Sequence, residues 1–156
     1  MKLHLLAIGQ KMPDWVSRGY QEYSKRMTRE VTLNLIELKA EKRSSTTNVE
    51  HIKAAERDRI LAHLPPRSSL WVLDEHGEQV TTLTLAEGLR IAMAEGQDIC
   101  CVIGGADGLH DDIKSRANKL IALSRLTLPH ALVRVVLAEQ LYRALSILNH
   151  HPYHRE

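Results

Sequence analysis

Short apolar runs alternate with amphipathic stretches along most of this chain. KLHLLAIG at 2–9 stops at a glycine, VTLNLIELKA at 31–40 alternates apolar and polar residues, and SLWVLDEHG at 69–77 and DICCVIGG at 98–105 are again apolar. Runs of this length, bounded by glycines and polar turns, predict β-strands. A fifth apolar segment, LIALSRLTL, occupies 120–128.

The stretches between these runs have helical spacing. A helix is predicted from Pro13 through 29, because apolar residues recur at helical spacing from Val16 onward and a proline costs nothing at a first helical position. Asn48, at the end of the polar loop 40–48, is expected to cap a helix that runs to about Leu64. Further helices are predicted over 84–96, 110–119 and about 130–149.

Strands that alternate with helices predict an α/β fold, here a parallel, doubly wound sheet in a single domain over 1–156. In such sheets ligands bind at the carboxyl ends of the strands. Those ends are predicted at Gly9, 73–74, 104–105 and 127–129.

The composition is that of a globular protein without a strong charge bias. The 156 residues are 44% hydrophobic and 26% charged, and 21 basic against 19 acidic residues give a net charge of +2. This balance argues against histone-like binding of nucleic acid and leaves recognition of RNA by a local patch open. No stretch approaches the ~20 apolar residues of a membrane span, and the N-terminus lacks the features of a secretory signal. Cys100 and Cys101 are adjacent on a strand and poorly placed to pair, so a reducing cytoplasm is expected.

The stretch CVIGGADGLH at 101–110 is the first candidate for chemistry. Gly104 and Gly105 break an apolar strand, which indicates a backbone that something approaches closely. A phosphate loop needs a lysine followed by a serine or threonine, and the dinucleotide motif G-x-G-x-x-G does not match, so both kinds of phosphate site are disfavoured. A plain turn, with Gly108 at positive φ, remains one interpretation.

A second polar stretch at a strand exit is LSRLTLPH, at 123–130. Two loops of small and polar residues at neighbouring strand ends can line a narrow pocket with backbone N–H and C=O groups. Such a pocket suits an adenine ring, which needs an apolar slot and a few amide hydrogen bonds.

Three segments resemble a known family. IGGADG, the long segment LSRLTLPHALVRVVLAEQLYRALSILNHHPYHRE and the opening KLHLLAIGQKMPDWV together resemble the bacterial ribosomal RNA large subunit methyltransferase H family, which belongs to the SPOUT class of S-adenosylmethionine-dependent RNA methyltransferases. The resemblance covers essentially the whole chain. It implies a parallel-sheet SPOUT methyltransferase fold with a deep C-terminal trefoil knot and a homodimer. It further implies methylation of N3 of a pseudouridine in helix 69 of the 23S rRNA, with the assembled ribosome as substrate.

The resemblance also implies which residues hold the cofactor, and the side-chain chemistry of the tail indicates which could act on the RNA. Contacts to S-adenosylmethionine are expected from Leu73, Gly104, Leu123, Ser124, Arg125, Leu126, Thr127 and Leu128. The tail residues Tyr153, His154 and Arg155 are expected to reach the active site of the other subunit. His154 is the first candidate to accept the N3 proton and His130 the second, and Arg155 is the candidate to hold a phosphate or a base edge.

The last predicted helix carries a broad apolar face, which is expected to be mostly core and to leave a stripe for the partner subunit. This face consists of Leu132, Val136, Leu137, Leu141, Leu145 and Leu148. Glu139 and Arg143 on the same helix form either a surface ion pair or an RNA-facing pair. Trp15 and Trp71 are expected to be partly buried.

Other interpretations of the sequence remain open. The tail could be solvated and without a role, since chain ends are often disordered. A metal site there is disfavoured, because its histidines lack the i, i+4 spacing on a helix. The chain could also be a non-catalytic RNA-binding module or a nucleotide-binding α/β enzyme of another type. Binding of S-adenosylmethionine separates these classes.

Overall fold

Strands and helices alternate along the whole chain. A computed structural model describes residues 1–155. In chain order its elements are β1 (Lys2–Ile8), α1 (Asp14–Ser24), β2 (Thr32–Leu38), α2 (Val49–His63), β3 (Ser69–Gln79), α3 (Thr82–Ala94), β4 (Ile99–Ile103), α4 (Asp111–Ser115), β5 (Lys119–Ala122) and α5 (His130–Leu148).

The five strands form one parallel sheet in the order β2-β1-β4-β3-β5. The predicted parallel α/β sheet is therefore confirmed. One face of the sheet packs against α1, α3 and α5, and the other against α2 and α4. Cys100 and Cys101 lie in the two different cores, as their adjacency on β4 predicts, and both are buried free thiols.

The pairing of β3 with β5 is irregular just before residue 77, where the sequence predicted the end of β3. Leu73 and Glu78 both pair with Ile121 of β5, so residues 74–77 bulge out of the ladder. At Gly77, an added Cβ would lie 2.7 Å from the backbone N and C of Ile121. Such a distance is too short for any side chain. Gly77 therefore permits a close approach of the two backbones that had not been expected from the sequence.

Three predicted elements end several residues earlier than expected. α4, predicted over 110–119, ends at Ser115. α1 stops at Ser24 instead of 29, and Met27 follows in a turn while still packing against the core. β5 covers only Lys119–Ala122, so most of the apolar segment 120–128 is loop. The apolar residues of this segment do not continue the strand, because the Ser124 hydroxyl accepts a hydrogen bond from the Leu126 N–H (2.9 Å) and closes a turn. The Leu126 side chain is left 74% exposed.

The helix α5 divides its apolar residues between core and surface. Leu137, Leu141 and Leu145 are fully buried in the chain's own core, whereas Leu132 and Val136 are half-buried and lie outside it.

None of the helices within residues 1–155 is long and apolar enough to cross a membrane. The expectation for Trp15 was wrong: it is 55% exposed on α1, while Trp71 on β3 is buried.

Candidate functional site

A cavity of about 350 Å³ opens at the carboxyl edge of the sheet, beyond the ends of β3, β4 and β5. Most of its wall is apolar side chain and loop backbone. It is lined by Leu73, Asp74, Glu75, Ile103, Gly104, Gly105, Ala106, Gly108, Leu109, Ile121, Leu123, Ser124, Leu126, Thr127, Leu128, Pro129, His130 and Val133.

The structure brings together all but one of the residues expected to contact a cofactor. Leu73, Gly104, Leu123, Ser124, Leu126, Thr127 and Leu128 line this cavity. Arg125 does not line it. Its exposed side chain turns toward β3, where Nε donates a hydrogen bond to Gln79 Oε1 at 3.1 Å. The turn closed by Ser124 accounts for this orientation, because Arg125 stands at its tip.

The glycine turn after β4 is packed against its own chain. A Cβ on Gly104 would lie 2.8 Å from Leu109 Cγ and 3.1 Å from the carbonyl carbon of Gly108. Gly105 and Gly108 form a bridge that closes the turn, and Gly108 has the expected positive φ of 79°. The close approach that the sequence indicated at Gly104 is therefore made, in the first place, by the turn's own buried Leu109.

The carboxylates in the cavity wall give it a negative charge. Among the lining residues two are acidic, Asp74 and Glu75, and none is lysine or arginine. The Asp74 side chain is only 11% exposed, and Lys114 of α4 lies behind it, with Nζ 3.4 Å from Oδ1. The other oxygen, Oδ2, accepts a hydrogen bond from the His76 N–H (3.1 Å). A cavity of this charge favours a ligand with positive charge over a phosphate.

His130, where α5 begins, stands at the rim of the cavity. Burial, and secondly the positive charge of Arg134, lowers the pKa of His130 below its ordinary value. The imidazole is therefore neutral at physiological pH, in the form that can accept a proton.

Arg134 is a buried residue that the sequence analysis missed. Its Nη2 donates to the carbonyl of Gly9 (2.8 Å) and its Nη1 to Glu37 Oε2 (2.7 Å), so it joins the start of α5 to the ends of β1 and β2. Its side chain is 1% exposed. A lone arginine in the apolar run LVRVVL was the available signal, since charged residues are fully buried only when they are paired.

The polar loop between β2 and α2 is tied to the glycine turn. Arg43 pairs with Asp107, and the buried Glu56 of α2 accepts a hydrogen bond from the Glu41 N–H (3.0 Å). Glu56 Oε1 lies 3.2 Å from the position that a Cβ on Gly105 would take. Burial raises the pKa of Glu56 above its ordinary value. The glycine turn therefore packs against the carboxyl group of Glu56. This residue belongs to α2, on the face of the sheet opposite α1, α3 and α5.

The tail folds back along α5 and does not reach the cavity of its own chain. Tyr153 Oη donates to Glu139 Oε1 (3.0 Å), its ring lies 4.7 Å from that of Tyr142, and the Arg143 guanidinium lies over it at 4.7 Å. Glu139 is about 13 Å along the helix axis from His130, given a rise of ~1.5 Å per residue. Neither His154 nor Arg155 lines the cavity.

Two tail side chains differ in what they can do with a proton. Burial, and next the hydrogen bond to Glu139, raises the pKa of Tyr153 to about 12, so its phenol stays protonated and acts as a donor. Both ring nitrogens of His154 are shielded from solvent, and neither has a hydrogen-bond partner within residues 1–155. Glu139 and Arg143 form an ion pair at 2.6 Å, one of the two expected arrangements.

Residues 1–154 match the protein family described as "Predicted SPOUT methyltransferase". Two proteins named "Ribosomal RNA large subunit methyltransferase H" are similar over the full length of both chains: that of Laribacter hongkongensis is 57% identical over 156 residues, and that of Methylobacillus flagellatus 53%. The solved structure of "a probable methylase family protein" from Haemophilus influenzae matches 99% of this chain and 70% of its own, with a TM-score of 0.58 at 12% identity, which supports the fold alone.

Proposed function

The chain belongs to the SPOUT methyltransferase family, and we propose that it methylates N3 of a pseudouridine in helix 69 of the 23S rRNA with S-adenosylmethionine as donor. The proposal includes a homodimer that acts on the assembled ribosome in the cytoplasm, and one domain over 1–156 with a knotted C-terminal part. The observation that carries it is the cavity at the carboxyl edge of the sheet. Its wall contains seven of the eight residues that the resemblance assigns to the cofactor.

The lining residues fit S-adenosylmethionine in shape and charge. Leu123, Leu126 and Leu128 offer apolar surface to an adenine ring, while the glycine turn offers backbone N–H and C=O groups. The carboxylates of Asp74 and Glu75 suit a cationic ligand and disfavour the phosphates of a nucleotide. When bound, S-adenosylmethionine supplies an electrophilic methyl group. The protein's part is to align that group with the acceptor nitrogen, since alignment supplies much of the rate of an in-line displacement.

The imide proton on N3 of the pseudouridine leaves as the nitrogen is methylated, and a neutral histidine accepts it. His154 is the first candidate for this acceptor and His130, at the cavity rim, is the second. Tyr153 is excluded as the base because its phenol stays protonated. Arg155, exposed at the end of the tail, holds a phosphate or a base edge of the RNA.

One stripe of α5 supports the homodimer. At about 100° per residue, Leu132, Val136, Glu139 and Arg143 share one face of the helix, opposite the buried Leu141. The tail lies on this same face through Tyr153, whose ring and hydroxyl contact Arg143 and Glu139. A second copy packed on the stripe would lie beside the tail, which is the arrangement that a site shared between two chains requires.

Arginine substitutions on the stripe test the dimer. We expect Leu132→Arg with Val136→Arg to give a folded monomer in light scattering, because both side chains are half-buried and lie outside the core. Arginine at Leu141 or Leu145 would instead disrupt the chain's own core and is no test of association. Circular dichroism checks that the double variant is folded. A double variant that remains dimeric contradicts the proposed interface.

Methyl transfer tests the proposed activity directly. Purified protein and radiolabelled S-adenosylmethionine are incubated with ribosomes that lack the modification, with free 23S rRNA and with fully modified ribosomes as controls. We expect label only in the 23S rRNA of the unmodified ribosomes, at N3 of one pseudouridine of helix 69. Binding of S-adenosylmethionine without transfer to any of these RNAs favours a non-catalytic module.

A further inference from the structure

One acidic side chain in the cavity is held in place by contacts on its far side. Asp74 lines the cavity, and its side chain is 11% exposed. Lys114 Nζ and the His76 N–H each occupy one of its oxygens, at 3.4 and 3.1 Å. A carboxylate accepts about four hydrogen bonds, so capacity remains on both oxygens for a group inside the cavity.

The neighbouring charges leave a negative potential in the cavity. Lys114 pairs with Asp74 from α4 but does not line the cavity, and Glu75 lines it with a side chain that is 58% exposed. The nearer of two opposite charges dominates the potential at a given point, because Coulomb energy falls with distance and with the surrounding dielectric. A ligand in the cavity therefore meets the carboxylate of Asp74 more strongly than the ammonium group of Lys114.

We propose that Asp74 makes the site select its cofactor by charge, so that the cationic methyl donor is held more tightly than the neutral thioether product. This inference rests on the proposed function. S-adenosylmethionine carries a sulfonium, an ammonium and a carboxylate group, while S-adenosylhomocysteine has lost the sulfonium charge and is otherwise nearly the same shape. The negative potential in the cavity acts on the net charge of the ligand, which is one unit more positive for S-adenosylmethionine than for S-adenosylhomocysteine. Asp74 thereby favours replacement of product by fresh donor after each turnover.

Calorimetry with three ligands tests the selection without any transfer reaction. The ligands are S-adenosylmethionine, S-adenosylhomocysteine and sinefungin, in which an ammonium group replaces the sulfonium methyl. For Asp74→Asn we expect the preference for the two cationic ligands over S-adenosylhomocysteine to fall about tenfold, the order expected for one partly screened charge. The asparagine keeps the size of the side chain and an oxygen to accept the His76 N–H.

Two further variants give matched controls. Lys114→Met removes the ammonium group behind Asp74, so the same preference should rise. Glu75→Gln, at the more exposed carboxylate, should change the preference less than Asp74→Asn does. If Asp74→Asn does not fold, the rise in Lys114→Met carries the test.

The outcomes separate this inference from the proposed function. Equal preferences in the wild type and Asp74→Asn, or an equal loss of affinity for all three ligands, overturn the selection by charge. An unchanged or lower preference in Lys114→Met does the same. Failure of the wild-type protein to bind any of the three ligands would instead overturn the proposed function.

Discussion

Deletion of residues 153–156 is expected to abolish methyl transfer to ribosomes while the fold and cofactor binding persist. The tail contacts α5 through Tyr153, and the ion pair between Glu139 and Arg143 beneath it does not depend on the tail. Of the tail, residues 153–155 do not line the cavity of their own chain. Calorimetry with S-adenosylmethionine should therefore be unchanged, and only the transfer of label should be lost.

His154→Ala separates proton transfer from RNA binding. If His154 accepts the N3 proton, the single-turnover rate should fall by ~100- to 10,000-fold, the range typical of general acid–base groups, with little change in cofactor affinity. Because both ring nitrogens are shielded from solvent, the role also requires the tail to rearrange when RNA binds. A loss confined to ribosome affinity would make the tail a positioning element. His130→Ala is the matched variant for the second candidate.

Mixed dimers test whether the site is shared. One subunit lacks 153–156, and the other carries Gly104→Val, whose side chain would collide with Leu109 and displace the turn that lines the cavity. Each homodimer should be inactive, but the heterodimer retains one intact cavity beside one intact tail. About half of the wild-type activity per heterodimer is expected. Inactive heterodimers, once shown to form, contradict a site built from two chains.

The sequence predicted the order of elements because each strand and helix has a local signal. The polar cap at Asn48, whose side chain accepts the Glu50 N–H (2.8 Å), and the fully buried β4 are examples. The cavity could also be anticipated, since carboxyl ends of parallel strands meet at one edge of a sheet. Its individual lining residues came from the family resemblance.

Features that depend on distant parts of the chain had no local signal. Arg134 is defined by carbonyl and carboxylate partners at Gly9 and Glu37, nearly a hundred or more positions away. The bulge at 74–77, which carries Asp74 and Glu75 along the cavity wall, became visible only from the pairing of β3 with β5 on both sides of it. The apolar segment 120–128 lies mostly in a loop, because β5 ends at Ala122 and the Ser124 hydroxyl closes a turn.

The second large effect is expected at Gly77, where the backbone of β3 lies close to that of β5. In Gly77→Ala the new methyl group would lie 2.7 Å from backbone atoms of Ile121, which cannot turn aside as a side chain can. Ile121 is held by pairing with both Leu73 and Glu78, so relief of the contact breaks the ladder on at least one side. We expect a loss of about 3 kcal/mol, at the upper end for overpacking.

Thermal unfolding measures this loss, which corresponds to a fall in Tm of roughly 6–12 °C for a chain of this size. Cofactor affinity should fall as well, because the cavity loop at 123–129 follows directly from β5. Gly19→Ala is the matched control: its new methyl group would meet only the Val135 side chain, at 3.1 Å, and alanine is favoured over glycine in a helix by ~1 kcal/mol. The control should therefore change stability by no more than about 1 kcal/mol in either direction. A Gly77→Ala protein as stable as the control would show that the two backbones are farther apart in solution, and would contradict the close approach of β3 and β5 at this position.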